Sequence, residues 1–250
     1  MPGLTGAWIG FFPNTGSLRK SGPIYSALWD LPWLMPDFGV RVGCTPHSHP
    51  KIWRPPRQFL KNHLFLKWLV ASFPEVPLLF IIRHPCAVVS SRMQLGWATD
   101  TDIAPFLAQP NLVDDFLADK MDVIERAKTV EEKHAIIWCI SNLIPIRQFG
   151  LENLNIVYYE KLVCEPETEI DRIFRRLNLD YDKQTALNEV EKPSVTTTWE
   201  HASLTPQNKI GNWKAKLSSR QIDNILSLVH GFGLNDLYDH TRMPKMDDHK

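Results

Sequence analysis

Residues 78–93 read LLFIIRHPCAVVSSRM, and the order of residue types in this stretch decides the fold class. Leu78 to Ile82 is a short apolar run that suits a buried strand. Arg83 and His84 follow at once. Pro85 suits the first position of a helix, where its missing N–H costs nothing, and the helix pattern runs on to about residue 95, stopping near Gly96. Strand, arginine and helix N-terminus therefore follow one another directly. In open α/β sheets, ligands bind beyond the C-terminal strand ends. Helix N-termini offer free N–H groups to anions, and a guanidinium fork matches phosphate or sulfate. Ser91 adds a hydroxyl about two turns into the helix. The stretch reads as an oxyanion pocket built for a phosphate group. Without further context, the same pattern also fits an arginine in a surface ion pair.

Working outward, residues 57–73 place Phe59, Leu66, Leu69, Val70 and Phe73 at near-helical spacing, with Pro74 as the stop. Residues 111–149 read as two helices. Asn111 is the candidate cap of the first, with Asp114 and Asp115 near its positive end. Ile136, Ile137, Ile140, Leu143 and Ile144 mark a buried stripe on the second. Pro145 is placed to kink or end that helix, and Gly150 to stop it. Asn155 to Tyr159 is a second strand, and Pro166 opens a helix to about Leu177. Residues 180–217 look irregular. Ser218 caps a last helix reaching Phe232. Strands separated by helices indicate an α/β fold, a parallel sheet flanked by helices.

The 250 residues suit one domain. It divides into a loop-rich part (1–57), a core (58–238) and a polar, frayed tail (239–250). Lys plus Arg and Asp plus Glu are both 28, so net charge is zero. That balance argues against broad binding of nucleic acid or anionic membrane. No stretch approaches the length of a membrane span, and the first residues lack the features of a signal peptide. The four cysteines (Cys44, Cys86, Cys139, Cys164) are widely spaced and read as reduced cytoplasmic thiols. His47 and His49 stand close together, but no further ligand is placed to complete a metal site.

The string Arg83-His84-Pro85 with Ser91 resembles the 3′-phosphate-binding motif of sulfotransferases, and RHPCAVVSSRMQLGW resembles bacterial members of that superfamily in particular. These enzymes use 3′-phosphoadenosine 5′-phosphosulfate (PAPS). The resemblance implies a P-loop-NTPase-like parallel sheet, with Arg83 and Ser91 on the 3′-phosphate of the nucleotide. His84 stands where many members carry Asp or Asn. Lys61-Asn62-His63-Leu64 resembles the K-x-H-L pattern of cytosolic members, implying His63 as general base and Lys61 as an assisting cation. Bacterial relatives often show K-D-P or K-x-P there, which matches Lys61 alone. Tyr159-Glu160-Lys161-Leu162 resembles the Y-E-D-L segment, which implies Tyr159 near the adenine. Glu160 can equally close a turn. Lys209-Ile210-Gly211-Asn212-Trp213-Lys214 resembles the C-terminal PAPS loop, with Lys209 as a phosphate contact. The acceptor implied is a small molecule or carbohydrate, and the chemistry calls for no metal.

One part of the superfamily pattern is not found: an opening strand and a P-x-S-G-T-T-like loop for the 5′-phosphosulfate. Arg19-Lys20-Ser21-Gly22-Pro23 is the nearest stretch. Two expectations follow. Either a longer product carries that loop, or the chain is a non-catalytic nucleotide-binding relative. In both cases turnover by this polypeptide is expected to be feeble, because in-line transfer depends on orientation.

Overall fold

A computed structural model describes residues 8–11, 59–60, 66–72, 74, 78–97, 99–191 and 205–245. The elements in chain order are strands β1 (Trp8–Phe11) and β2 (Phe59–Leu60), helix α1 (Leu66–Ser72), strand β3 (Leu78–Ile82), and helices α2 (Pro85–Gln94), α3 (Asp100–Leu107), α4 (Pro110–Leu112), α5 (Met121–Arg126) and α6 (Val130–Phe149). Strand β4 (Ile156–Tyr158) follows, then helices α7 (Tyr159–Cys164), α8 (Pro166–Arg176), α9 (Lys183–Glu191), α10 (Pro206–Gly211), α11 (Trp213–Lys216) and α12 (Ser219–Gly231).

The strands form one sheet in the order β2-β1-β3-β4. β3 and β4 are parallel, with Ile82 opposite Tyr158 at their C-terminal ends. β1 runs antiparallel to both β2 and β3. The sheet expected to be parallel is thus mixed among the described residues. The strand WIGF at 8–11 gives no alternating signal and contains a glycine, so its composition reads as loop.

Helices cover both faces of β3. Alternate side chains of a strand point to opposite faces. Leu78, Phe80 and Ile82 join the larger core with Ile136, Ile140 and Ile144 of α6. Leu79 and Ile81 pack on the other side, against Ile173 and Leu177 at α8. All five residues of the stripe expected on α6 are buried.

Helix α6 begins with a capping box. The Thr129 N–H donates to Glu132 Oε2 at 2.9 Å, and Glu132 N–H donates back to Thr129 Oγ1. Pro145 does not end the helix at its position: α6 runs through it to Phe149. A helix-interior proline costs about 3 kcal/mol. Each fully buried Ile or Leu of the stripe contributes about 1.5–3 kcal/mol, so burial of this helix outweighs the break. Gly150, at φ 74°, supplies the expected stop.

Other boundaries moved. Residues 59–60 are strand, and the helix expected from residue 57 is described only from Leu66. Asn111 lies inside α4, which starts at Pro110 with Gln109 at the cap position. The stretch 180–217 contains helices α9, α10 and α11, whose short length and polar content hid the periodicity. Residues 239–245, polar in composition, are tied back by Lys245 N–H to Leu237 O at 2.9 Å.

Ser218 caps α12 as expected: its Oγ accepts the Gln221 N–H at 3.3 Å, and Gln221 Oε1 accepts the Ser218 N–H at 2.9 Å. Ser218→Ala is expected to lower unfolding free energy by about 1 kcal/mol in urea titration.

Candidate functional site

Because β3 and β4 are parallel and in register, Arg83 and Tyr159 leave the sheet at the same edge. The Arg83 guanidinium carbon lies 4.5 Å from the centroid of the Tyr159 ring. Arg83 Nε is buried and has no hydrogen-bond partner among the described residues. An orphaned cationic donor of this kind costs free energy unless an acceptor reaches it, so the geometry fits an anionic group of a ligand.

The backbone beneath that guanidinium is held on both sides. The Arg83–His84 peptide oxygen accepts from Trp138 Nε1 at 3.0 Å. Its N–H donates to Glu160 Oε1 at 2.9 Å. The other oxygen of Glu160 accepts from the Tyr238 hydroxyl at 2.7 Å. Glu160 is fully buried, and burial raises its pKa despite these donors and the nearby Arg83 charge. Tyr238 packs edge-on against His84, Trp138 and Tyr158.

His84 does what a capping Asp or Asn would do. Its Nδ1 accepts the Cys86 N–H at 3.2 Å at the start of α2. That fixes the tautomer: Nε2 carries the proton and donates to the Asp239 carbonyl at 3.0 Å. The ring stacks on Trp213 at 4.5 Å. Burial lowers its pKa from 6.5 to about 4, so it is neutral in the folded protein. The departure from Asp or Asn therefore preserves the cap and adds a tether to the C-terminal segment. Cys86, at the same helix start, is no nucleophile: burial pushes its thiol up to about 12.

The Lys209–Lys214 segment comes to this place across more than a hundred residues of sequence. Trp213 lies against His84, and α10, which carries half-buried Lys209 in its last turn, packs on α7. Gly211 gives room to Arg242, whose Nε would lie 2.5 Å from a Cβ at that position. Ser91 is half-buried in the second half of α2, about 9 Å along the axis from Pro85. Lys61 and His63 lie outside the described residues. The structure thus brings Arg83, Tyr159 and the Lys209–Trp213 segment to one edge of the sheet, and it leaves Ser91 further along α2.

No motif marks Tyr238, which sits in Leu-Asn-Asp-Leu-Tyr-Asp-His. Arg92 was also silent. It is buried, donates from Nε to His134 Nδ1 at 3.0 Å, pairs with Asp102, and lies over the Trp97 ring. Burial, and then the Arg92 charge, lower His134 to about 4.

Among the described residues, no helix is long and apolar enough to cross a membrane. Comparison with curated proteins and with solved structures finds no match. A family model, that of the sulfotransferase family, matches residues 44–183. The matched span is more than half of the 250 residues. It contains the Arg83 strand end, the start of α7 at Tyr159 and Glu160, and the Lys61–His63 segment, so on this match the chain belongs to the sulfotransferase family.

Proposed function

We propose that this chain is a PAPS-dependent sulfotransferase acting on a hydroxyl or amine of a small-molecule or carbohydrate acceptor. Family membership supports sulfuryl transfer in general. One observation carries the nucleotide assignment: a buried Arg83 Nε, without a hydrogen-bond partner among the described residues, at the C-terminal end of a parallel strand, with the guanidinium over an aromatic ring. That donor fits the 3′-phosphate, and Tyr159 and Lys209 fit the adenine and a phosphate oxygen. Ser91 is assigned to the 3′-phosphate on the motif alone.

PAPS supplies the activated sulfuryl group. The acceptor oxygen or nitrogen bonds to sulfur as the bond from sulfur to the 5′-phosphate oxygen breaks, and 3′,5′-ADP leaves. In this reading His63 takes the acceptor proton and Lys61 balances charge on the departing oxygen. The other residues bind and orient the donor.

Titration calorimetry with 3′,5′-ADP tests the nucleotide site. Arg83→Ala is expected to weaken binding at least tenfold, about 1.4 kcal/mol. Equal affinity in the variant rules the assignment out.

A further inference from the structure

We infer that the C-terminal segment, residues 234–245, is a strap that positions Arg83, with Tyr238 as its positioning residue. The inference rests on the reading of Arg83 as the 3′-phosphate anchor, and it adds residues that no motif of the chain points to.

Three contacts build the strap onto the site. Tyr238 donates to Glu160, which accepts the N–H of the Arg83–His84 peptide. The Asp239 carbonyl accepts from the His84 ring. Arg242 lies against Gly211, two residues before the Trp213 that stacks on His84. The segment is itself fastened. Leu234 N–H donates to Val229 O at 3.0 Å, and Lys245 N–H to Leu237 O at 2.9 Å. Leu234, Leu237 and Tyr238 are buried.

The physical consequence concerns one peptide plane. Trp138 holds its oxygen from α6, and Glu160 holds its N–H. With both ends held, the plane sets the direction in which the Arg83 side chain leaves the strand. The Trp138 contact belongs to the core of the sheet and helices. The Glu160 contact depends on Tyr238, because the hydroxyl of that residue occupies the other carboxylate oxygen and fixes the rotation of the group. A group held within about half an ångström by its supporting contacts binds better than one left loose. Tyr238 never touches the nucleotide in this scheme. It acts through Glu160 and the Arg83–His84 peptide.

The test pairs two ligands with two variants. Tyr238→Phe keeps the ring and removes the hydroxyl alone. In the full chain it is expected to weaken 3′,5′-ADP roughly fivefold, a size typical of coupling between residues in one network. The affinity for 5′-AMP, which lacks the 3′-phosphate, is expected to change by less than about twofold. In the Arg83→Ala background, Tyr238→Phe is expected to add no further loss, as a device acting through Arg83 requires. Equal weakening of both nucleotides, or the same added loss without Arg83, makes Tyr238 a merely structural residue and overturns the strap.

Hydrogen exchange on the wild-type chain gives an independent reading that needs no variant to fold. By linkage, a ligand held by Arg83 must steady the segment that positions it. Saturating 3′,5′-ADP is expected to slow amide exchange across residues 234–245, and 5′-AMP is not. Unchanged exchange overturns the strap. If wild-type protein shows no preference for 3′,5′-ADP over 5′-AMP, the phosphate reading of Arg83 fails and the strap falls with it. If the preference exists and depends on Arg83 but not on Tyr238, only the strap fails.

Discussion

Glu160→Ala is expected to lower unfolding free energy by about 4 kcal/mol, read from urea titration of tryptophan fluorescence. The carboxylate accepts from the His84 N–H and from the Tyr238 hydroxyl, and both donors are buried. Removing the acceptor leaves the buried His84 N–H without a partner and the Tyr238 hydroxyl with only the Ile82 carbonyl at 3.5 Å, each loss costing about 1–3 kcal/mol. The cavity left by the side chain adds to that. Glu160→Gln separates the causes. Its amide oxygen can still accept the His84 N–H, and its NH₂ can donate to the Tyr238 oxygen, so its expected cost is under about 2 kcal/mol. An alanine variant losing less than 1 kcal/mol would mean that water reaches these donors, and that the clamp on the Arg83–His84 peptide is not a dry one.

Acidification from pH 7 to pH 5 is expected to remove a similar amount, and two histidines carry it. Burial lowers His84 and His134 from 6.5 to about 4. The sign follows from proton counting. Between these values the unfolded chain binds a proton that the folded chain refuses, so stability rises with pH. The contribution is complete above about 6.5 and is lost as pH falls toward 4. For each ring the loss between pH 7 and pH 5 is about 2 kcal/mol. Glu160 works the other way. Its raised pKa favours the fold as pH falls toward 4.5, so it opposes the histidine slope inside the same window. Urea midpoints across pH 5–7 check the slope. His134→Gln is expected to remove about half of it, since His84 keeps its own share. A flat profile in the wild-type chain would contradict the burial of both rings.

What could be read in advance depended on how local the cause was. The strand Leu78–Ile82 and the helix start at Pro85 were legible because apolar run length and proline geometry act over a few residues. The α6 stripe and the Ser218 cap were legible for the same reason. Pro145 does not end α6, because the burial of the stripe overrides its local propensity to stop a helix. Trp8–Phe11 could not be found, since a four-residue strand owes its existence to the neighbours it pairs with.

The candidate site divides in the same way. Arg83 and Tyr159 were marked by residue type at strand ends, Ser91 by its place two turns into the helix, and Lys209 by the family resemblance alone. Their meeting was not marked, and the structure grants it to three of them unequally. Arg83 touches Tyr159, and Lys209 enters through the packing of α10 on α7. The residues that hold Arg83 in place carry no motif, because a supporting hydrogen bond needs only a donor at the right point in space.

By itself the sequence determined where a strand hands over to a helix, and that an arginine stands at the junction. It also determined a kinship, through short motifs spread along the chain. Only the tertiary structure decided that Tyr238 and Glu160, 78 residues apart, close on the peptide between Arg83 and His84. The reason is physical. Strand and helix starts are set by torsion angles and neighbouring side chains, whereas a buried carboxylate finds its donors wherever the packed core delivers them.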